Sequence, residues 1–269
     1  MPQVPKTIGI LGAGQLAEFI ITGIERVSAP YNFILSPRSY ERALKLKNTF
    51  NLEIAESNQN LLDRCDMVFI CLPSKNSLSI LSGLNFRKEN NILSAMAGIT
   101  REAICKETNC NKVHTSMMPG YANAYNKGPS LLYPEDSEWL AFLSFLGPVF
   151  QCNTEEEFNV AAVIGAVSGA SFVLFETLSK WFSNNNLSSK FAQNLLLETL
   201  QGNIEIALES DEDLSEIISK VATPGGITES LVNQLHQKEA LSSWLGGMDT
   251  ILNNNSSKKN QYFILEEFL

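Results

Sequence analysis

Two textures of hydrophobic and polar residues divide this chain. From Lys6 to about Val149, short apolar runs alternate with stretches whose apolar positions recur at helical spacing. The apolar runs predict strands at Thr7–Leu11, Phe33–Leu35, Met67–Cys71, Asn91–Ser94, Val113–Thr115 and Ser130–Tyr133, with helices at Gln15–Val27, Arg38–Thr49 and Ser137–Leu146. Strand–helix alternation with short connections predicts a mostly parallel sheet covered on both faces. After Phe150 the strand pattern ends. Long helical patterns follow at Glu156–Trp181 and Ser188–Glu209, then at Asp213–Val221, Ile227–Ala240 and Leu241–Leu252. The predicted fold is therefore α/β: a mostly parallel-sheet domain over residues 1–153, then an all-α domain over 154–269. The first long helix is apolar almost all round and rich in small residues, which suits burial between subunits.

The first predicted strand runs into Gly12-Ala13-Gly14-Gln15-Leu16-Ala17. A buried strand, a glycine turn and an immediate helix form the first βα turn of a dinucleotide site, which makes residues 1–153 a Rossmann-type dinucleotide-binding domain. Gly12 permits the tight turn, Gly14 leaves room for a pyrophosphate, and Ala17 lets the helix pack close. The helix N-terminus then offers unpaired N–H groups and a partial positive charge to the phosphates. At the end of the second strand, Leu35-Ser36-Pro37-Arg38 has no acid where an NAD site usually places one. A hydroxyl from Ser36 with the guanidinium of Arg38 suits the extra 2′-phosphate of NADP, with NAD as the second choice.

Further turns follow strands on the same edge of the sheet: Leu72-Pro73-Ser74, Ala95-Met96-Ala97-Gly98, and Ser116 to Tyr121 with Pro119 and Gly120. The first two are expected to rim the cofactor cleft. In the helical half, Thr223-Pro224-Gly225-Gly226-Ile227-Thr228 breaks one helix and starts the next. Consecutive glycine N–H groups at a helix start make an anion cradle, and Thr228 adds a hydroxyl.

Composition narrows the chemistry. The 269 residues carry a net charge of -9, which disfavours nucleic acid or an anionic membrane as partner. All the arginines lie between Arg26 and Arg101, so an anion held by the second half must rest on amides, hydroxyls or a lysine. The five cysteines form no CxxC pair and read as reduced thiols, and neither His114 nor His236 belongs to a triad or a metal-ligand spacing. No metal site is expected. With no targeting segment and no run of 18 apolar residues, a soluble, cytoplasmic protein is expected.

The motifs Gly12 to Ala17, Ser168-Gly169-Ala170 and Thr223 to Thr228 occur in an order and at a spacing that resembles the pyrroline-5-carboxylate reductases. Asn58 resembles that family's cofactor-contacting Asn, and Ala97-Gly98 its Ala-Ala-Gly turn. The resemblance implies reduction of the cyclic imine 1-pyrroline-5-carboxylate to L-proline by NADPH, in a homodimer or higher homo-oligomer. It implies cofactor contacts at Gly12, Ala13, Gly14, Gln15, Leu16, Ser36, Arg38, Asn58, Leu72, Pro73, Ala97 and Gly98. It implies substrate contacts at Pro119, Gly120, Ser168, Gly169, Gly225 and Gly226, with Thr228 at the imine nitrogen as the catalytic residue. The loop Met118-Pro119-Gly120-Tyr121-Ala122-Asn123 departs from the family's Met-Pro-Asn-Thr-Pro-Ala. That departure keeps two alternatives open: a reductase of another cyclic imine or imino acid, and an inactive NADP-binding paralogue.

Overall fold

The structure, a computed structural model, describes residues 5–37 and 40–256. Arg38, one of the cofactor candidates, lies outside the described residues. The chain forms two compact units, one up to Gly165 and one from Ala166 to Asn253.

In the first unit the elements run β1 (Lys6–Leu11), α1 (Gln15–Arg26), β2 (Tyr31–Leu35), α2 (Tyr40–Phe50), β3 (Glu53–Ile54), α3 (Asn58–Arg64) and β4 (Met67–Ile70). Then come α4 (Ser77–Ser82), β5 (Asn91–Ser94), α5 (Arg101–Thr108), β6 (Val113–Met117), β7 (Ser130–Tyr133), α6 (Ser137–Ser144), β8 (Val149–Gln151) and α7 (Glu155–Ala161). The eight strands make one sheet in the order β3-β2-β1-β4-β5-β6-β7-β8. Every pairing is parallel except β6 with β7. The strand order reverses between β1 and β4, which makes their carboxyl ends the switch point of the sheet, where ligands bind in such folds.

The strand sequences read as continuous apolar runs because both faces are covered. On one face Ile20 and Ile24 of α1 and Trp139 and Phe142 of α6 pack on Ile8, Ile10 and Phe69. On the other, Leu61 and Leu62 of α3, Leu81 of α4 and Ile104 of α5 pack on Leu11, Val68 and Ile92. The expected strands and helices are present. β3 and β8 go beyond them, at two and three residues too short to show a period.

The second unit holds most of α8 (Ile164–Asn184), with α9 (Ser189–Glu209), α10 (Leu214–Val221), α11 (Ile227–Gln237) and most of α12 (Ala240–Ser256). The single helix expected over Glu156–Trp181 is two, α7 and α8. Around Ala162 the chain tightens to i→i+3 bonds, Val163 N–H to Val160 O and Gly165 N–H to Ala162 O, both 3.2 Å. Such a tightening leaves hydrophobic spacing almost unchanged. Within the chain, α8, α10 and α11 bury none of their side chains, and Phe172, Trp181 and Leu231 are all more than half exposed.

A buried polar network ties α6 to the sheet. Trp139 Nε1–H donates to Asn91 Oδ1 (2.8 Å), and Asn91 Nδ2 donates to Asp136 and Glu138. His114 of β6 adjoins this network. Its Nδ1 lies 2.9 Å from Pro134 O, and its buried Nε2 lies 3.7 Å from Asp136 Oδ2 without a hydrogen-bond partner. Burial disfavours the imidazolium and outweighs the pull of the Pro134 carbonyl and Asp136, holding the His114 pKa below its ordinary 6.5. As pH falls, the unfolded chain takes up this proton before the folded one. The stability that His114 confers as a neutral ring is therefore full above about pH 6.5 and declines below it. Urea unfolding at about pH 7.5 and about pH 5.5 is expected to show a smaller acid-induced loss in His114→Gln than in the parent. An equal loss in both would contradict this account.

Candidate functional site

The turn after β1 is set at the switch point by its own bonds. Gly12 has φ +111°, and a Cβ there would lie 2.8 Å from Cys71 O, so only glycine fits. Gly12 N–H donates to Ser36 Oγ (2.9 Å), Ser36 N–H to Ile10 O (3.0 Å) and Cys71 N–H to Leu11 O (2.9 Å). The carboxyl ends of β1, β2 and β4 are thereby laced together. Gly14 follows in an extended conformation as the N-cap of α1, with no side-chain cap, and among the described residues nothing lies within 4 Å of the place a Cβ would take. The turn therefore stands open over the first amides of α1, a shape that fits a pyrophosphate. Ala13 and Ala17 are buried beneath, while Gln15 is exposed and Leu16 half-buried.

A hollow of 300 Å³ beside the turn is lined by Ala13, Gly14, Gln15, Glu18, Arg42, Lys45 and Leu46. Lys45 is paired with Glu18 at 2.9 Å. Arg42, in the first turn of α2, escaped the sequence reading although it stands only four positions after Arg38 in the sequence. Ser36 is buried, and its oxygen supports the glycine turn. No carboxylate stands at the end of β2, where Leu35-Ser36-Pro37 is described. Asn58 opens α3 with its Oδ1 buried and without a hydrogen-bond partner. A buried acceptor in that state awaits a donor, and a hydroxyl-bearing ligand fits it.

Along the same sheet edge lies a cleft of 450 Å³, lined in part by Leu16, Ala97, Gly98, Met117, Met118 and Glu155. It brings Leu16 of α1 together with the turn after β5. Among the described residues its lining has one acid, Glu155, and no lysine, arginine or histidine. Ser74 Oγ donates to Ala97 O and so joins the turns after β4 and β5. Leu72 is buried and Pro73 exposed next to them, outside the cleft lining. Pro119 and Gly120 also stand outside that lining. Their turn is held by Asn123, whose Oδ1 accepts from Gly120 N–H (3.0 Å) while its Nδ2 donates to Gly128 O (2.8 Å). Tyr121 projects from this loop onto Phe19, ring centroids 5.2 Å apart. Burial pushes the Cys65 thiol up to about 11 and also raises Cys71, so both stay protonated and inert.

In the second unit Ser168 is half-buried and Gly169 exposed on α8. Gly225 has φ +74° and donates its N–H to Glu229 Oε2 (2.7 Å), and Gly226 N–H donates to Thr223 O (2.9 Å). Both amides of the expected anion cradle are thus bonded within the chain. Thr228 is exposed in the first turn of α11. Glu229 was not singled out from the sequence, though an acid in the first turn of a helix is a recognisable partner for nearby N–H groups. Among the described residues, no group of three His, Cys, Asp or Glu could hold a metal ion.

Residues 7–98 match the family described as NADP oxidoreductase coenzyme F420-dependent, and residues 155–256 match pyrroline-5-carboxylate reductase dimerisation. A pyrroline-5-carboxylate reductase of Corynebacterium melassecola is 25% identical over 244 residues, 86% of this chain and 90% of that protein. The chain is a divergent member of the pyrroline-5-carboxylate reductase family. That family consists of NAD(P)-dependent oxidoreductases. The fold agrees with its solved members. The Streptococcus pyogenes 1-pyrroline-5-carboxylate reductase superposes with a TM-score of 0.84 at 21% identity, covering 95% of this chain and 100% of that one. A Plasmodium falciparum pyrroline carboxylate reductase with NADP bound gives 0.83 at 17% identity, covering 94% and 98%. The helical span Glu155–Asn184 is long and apolar enough to cross a membrane by length and composition, and only 6% of its most apolar window is buried in the single chain. It lies in the part that matches the dimerisation family.

The two glycines of the turn are expected to separate on substitution. Gly12→Ala forces a side chain into a strained backbone against the Cys71 carbonyl and is expected to cost about 2–4 kcal/mol in urea unfolding. Gly14→Ala has an ordinary backbone and open space, and is expected to change stability by less than about 0.5 kcal/mol. Equal costs for the two would contradict the geometry described for the turn.

Proposed function

We propose that this protein reduces a cyclic imine with NADPH, with 1-pyrroline-5-carboxylate as substrate and L-proline as product. The observation that carries the reading is the open glycine turn at the β1/β4 switch point in a chain of this family. In this reading the amides around Gly12, Ala13, Gly14 and Gln15 hold the pyrophosphate, with Leu16, Leu72, Pro73, Ala97 and Gly98 shaping the cleft beside it. Asn58 Oδ1 accepts from a ribose hydroxyl. Arg38 and Arg42 favour the 2′-phosphate, while Ser36, expected there from the sequence, is buried and supports the glycine turn instead, so NADPH is preferred and NADH is the weaker cofactor.

NADPH, when bound, supplies the hydride. The chain's own part is positioning. A protonated imine is already electrophilic, so orientation counts for more than a strong acid. Thr228 gives the imine nitrogen a hydrogen bond. Ser168, Gly169, Gly225 and Gly226 surround the ring and its carboxylate, with the Gly225 amide reached once Glu229 turns away, and Pro119 and Gly120 bound the pocket. The arginine-free second half supports an amide site rather than a guanidinium fork.

We further propose a functional boundary at 153/154, with residues 1–153 binding the dinucleotide and 154–269 serving substrate and assembly. The exposed apolar faces of α8, α10 and α11 support a homodimer or higher homo-oligomer in which a second copy covers them. A soluble, cytoplasmic enzyme acting on a small molecule, with no nucleic acid or membrane partner, is the accompanying reading. The reshaped loop with Tyr121 on Phe19 favours a second reading, reduction of another cyclic imine or imino acid.

Following NADPH absorbance with 1-pyrroline-5-carboxylate tests the proposal. Turnover is expected, with kcat/KM in Thr228→Ala lower by about 10- to 100-fold. NADPH binding without turnover of any imine would instead mark an inactive paralogue.

A further inference from the structure

Glu229 occupies an amide that the reading proposed above gives to a substrate. The carboxylate Oε2 takes the Gly225 N–H at 2.7 Å, a charge-assisted bond to one of the amides assigned above to a substrate carboxylate. The neighbouring Gly226 N–H is already used by Thr223 O, so the turn has no second glycine amide to offer in its place. Two carboxylates cannot share one N–H, and bringing them together costs like-charge repulsion. All arginines lie at or before Arg101, outside the helical unit.

We propose that Glu229 is a specificity-determining residue. By holding the Gly225 amide with its own carboxylate, it lowers the preference of this enzyme for cyclic imines that carry a carboxylate over those that do not. The inference rests on the imine-reductase reading given above. A carboxylated substrate must displace Glu229 to reach the amide, whereas a carboxylate-free ring has no need of it. The effect falls on binding, and so on KM, because Glu229 is not assigned to the imine bond itself.

The test measures kcat/KM with NADPH for 1-pyrroline-5-carboxylate and for 1-pyrroline, the same ring without its carboxylate, in the parent, Glu229→Ala and Glu229→Gln. In Glu229→Ala the ratio of carboxylated to carboxylate-free imine is expected to rise about tenfold, through a lower KM for the carboxylated ring. Glu229→Gln keeps an oxygen for Gly225 without the charge, so its ratio is expected to rise by a smaller factor. That variant also keeps the test readable if loss of the bond in Glu229→Ala disturbs folding. A bond that merely anchors the helix would change thermal stability and leave the ratio alone. If the parent reduces these imines and both variants keep its ratio within about twofold, or lower it, the inference is overturned and the reductase reading stands. If the parent reduces neither imine, the reductase reading fails and takes the inference with it.

Discussion

The constraint on which the proposed nucleotide site depends is the absence of a Cβ at Gly12. A methyl group there would stand 2.8 Å from the Cys71 carbonyl oxygen, and the positive φ would strain any L side chain. The gap matters because three strand ends meet at it. Ser36 Oγ holds the Gly12 amide, while backbone bonds join β2 to β1 and β1 to β4. These contacts set the direction in which the chain leaves the sheet and enters α1. They also place Gly14 in the open, with room above it for a charged group. A fold that brings helix amides to the switch point of a parallel sheet has a dinucleotide cradle as a consequence of its packing.

The second unit is governed by a different shortage. Its helices carry large apolar residues but form little core of their own, since α8, α10 and α11 bury no side chain within the chain. Exposed Phe172, Trp181 and Leu231 are costly in water, and a second copy is the partner that the dimerisation match supports. The same shortage explains why a span such as Glu155–Asn184 has the length and hydropathy of a membrane helix. An interface helix covered by another apolar helix and a helix covered by lipid share that composition.

Much of the first unit could be read from the sequence because its strands are continuous apolar runs and its first helix follows the glycines at once. β3 and β8 escaped because two or three residues carry no period. The break between α7 and α8 escaped because an i→i+3 tightening moves no hydrophobic position far enough to disturb the pattern. In the candidate site, the glycine turn and the missing acid after β2 were legible as residue types at fixed spacing. The partnerless Oδ1 of Asn58 was not, because it depends on burial, and Asn58 came forward only through resemblance. Glu229 was hidden for a similar reason. Its sequence position suggests a helix-start acid, and only its bond to Gly225 shows which amide it occupies.

The account stands or falls on a dinucleotide resting over Gly14. Calorimetric titration of NADPH into the parent and into Gly14→Ala measures this directly, because the substitution leaves the backbone unstrained and places one methyl group in the path of the pyrophosphate. The parent is expected to bind NADPH, and Gly14→Ala to bind it at least about tenfold more weakly. Equal affinity in the two proteins, or no binding by the parent, would contradict the account.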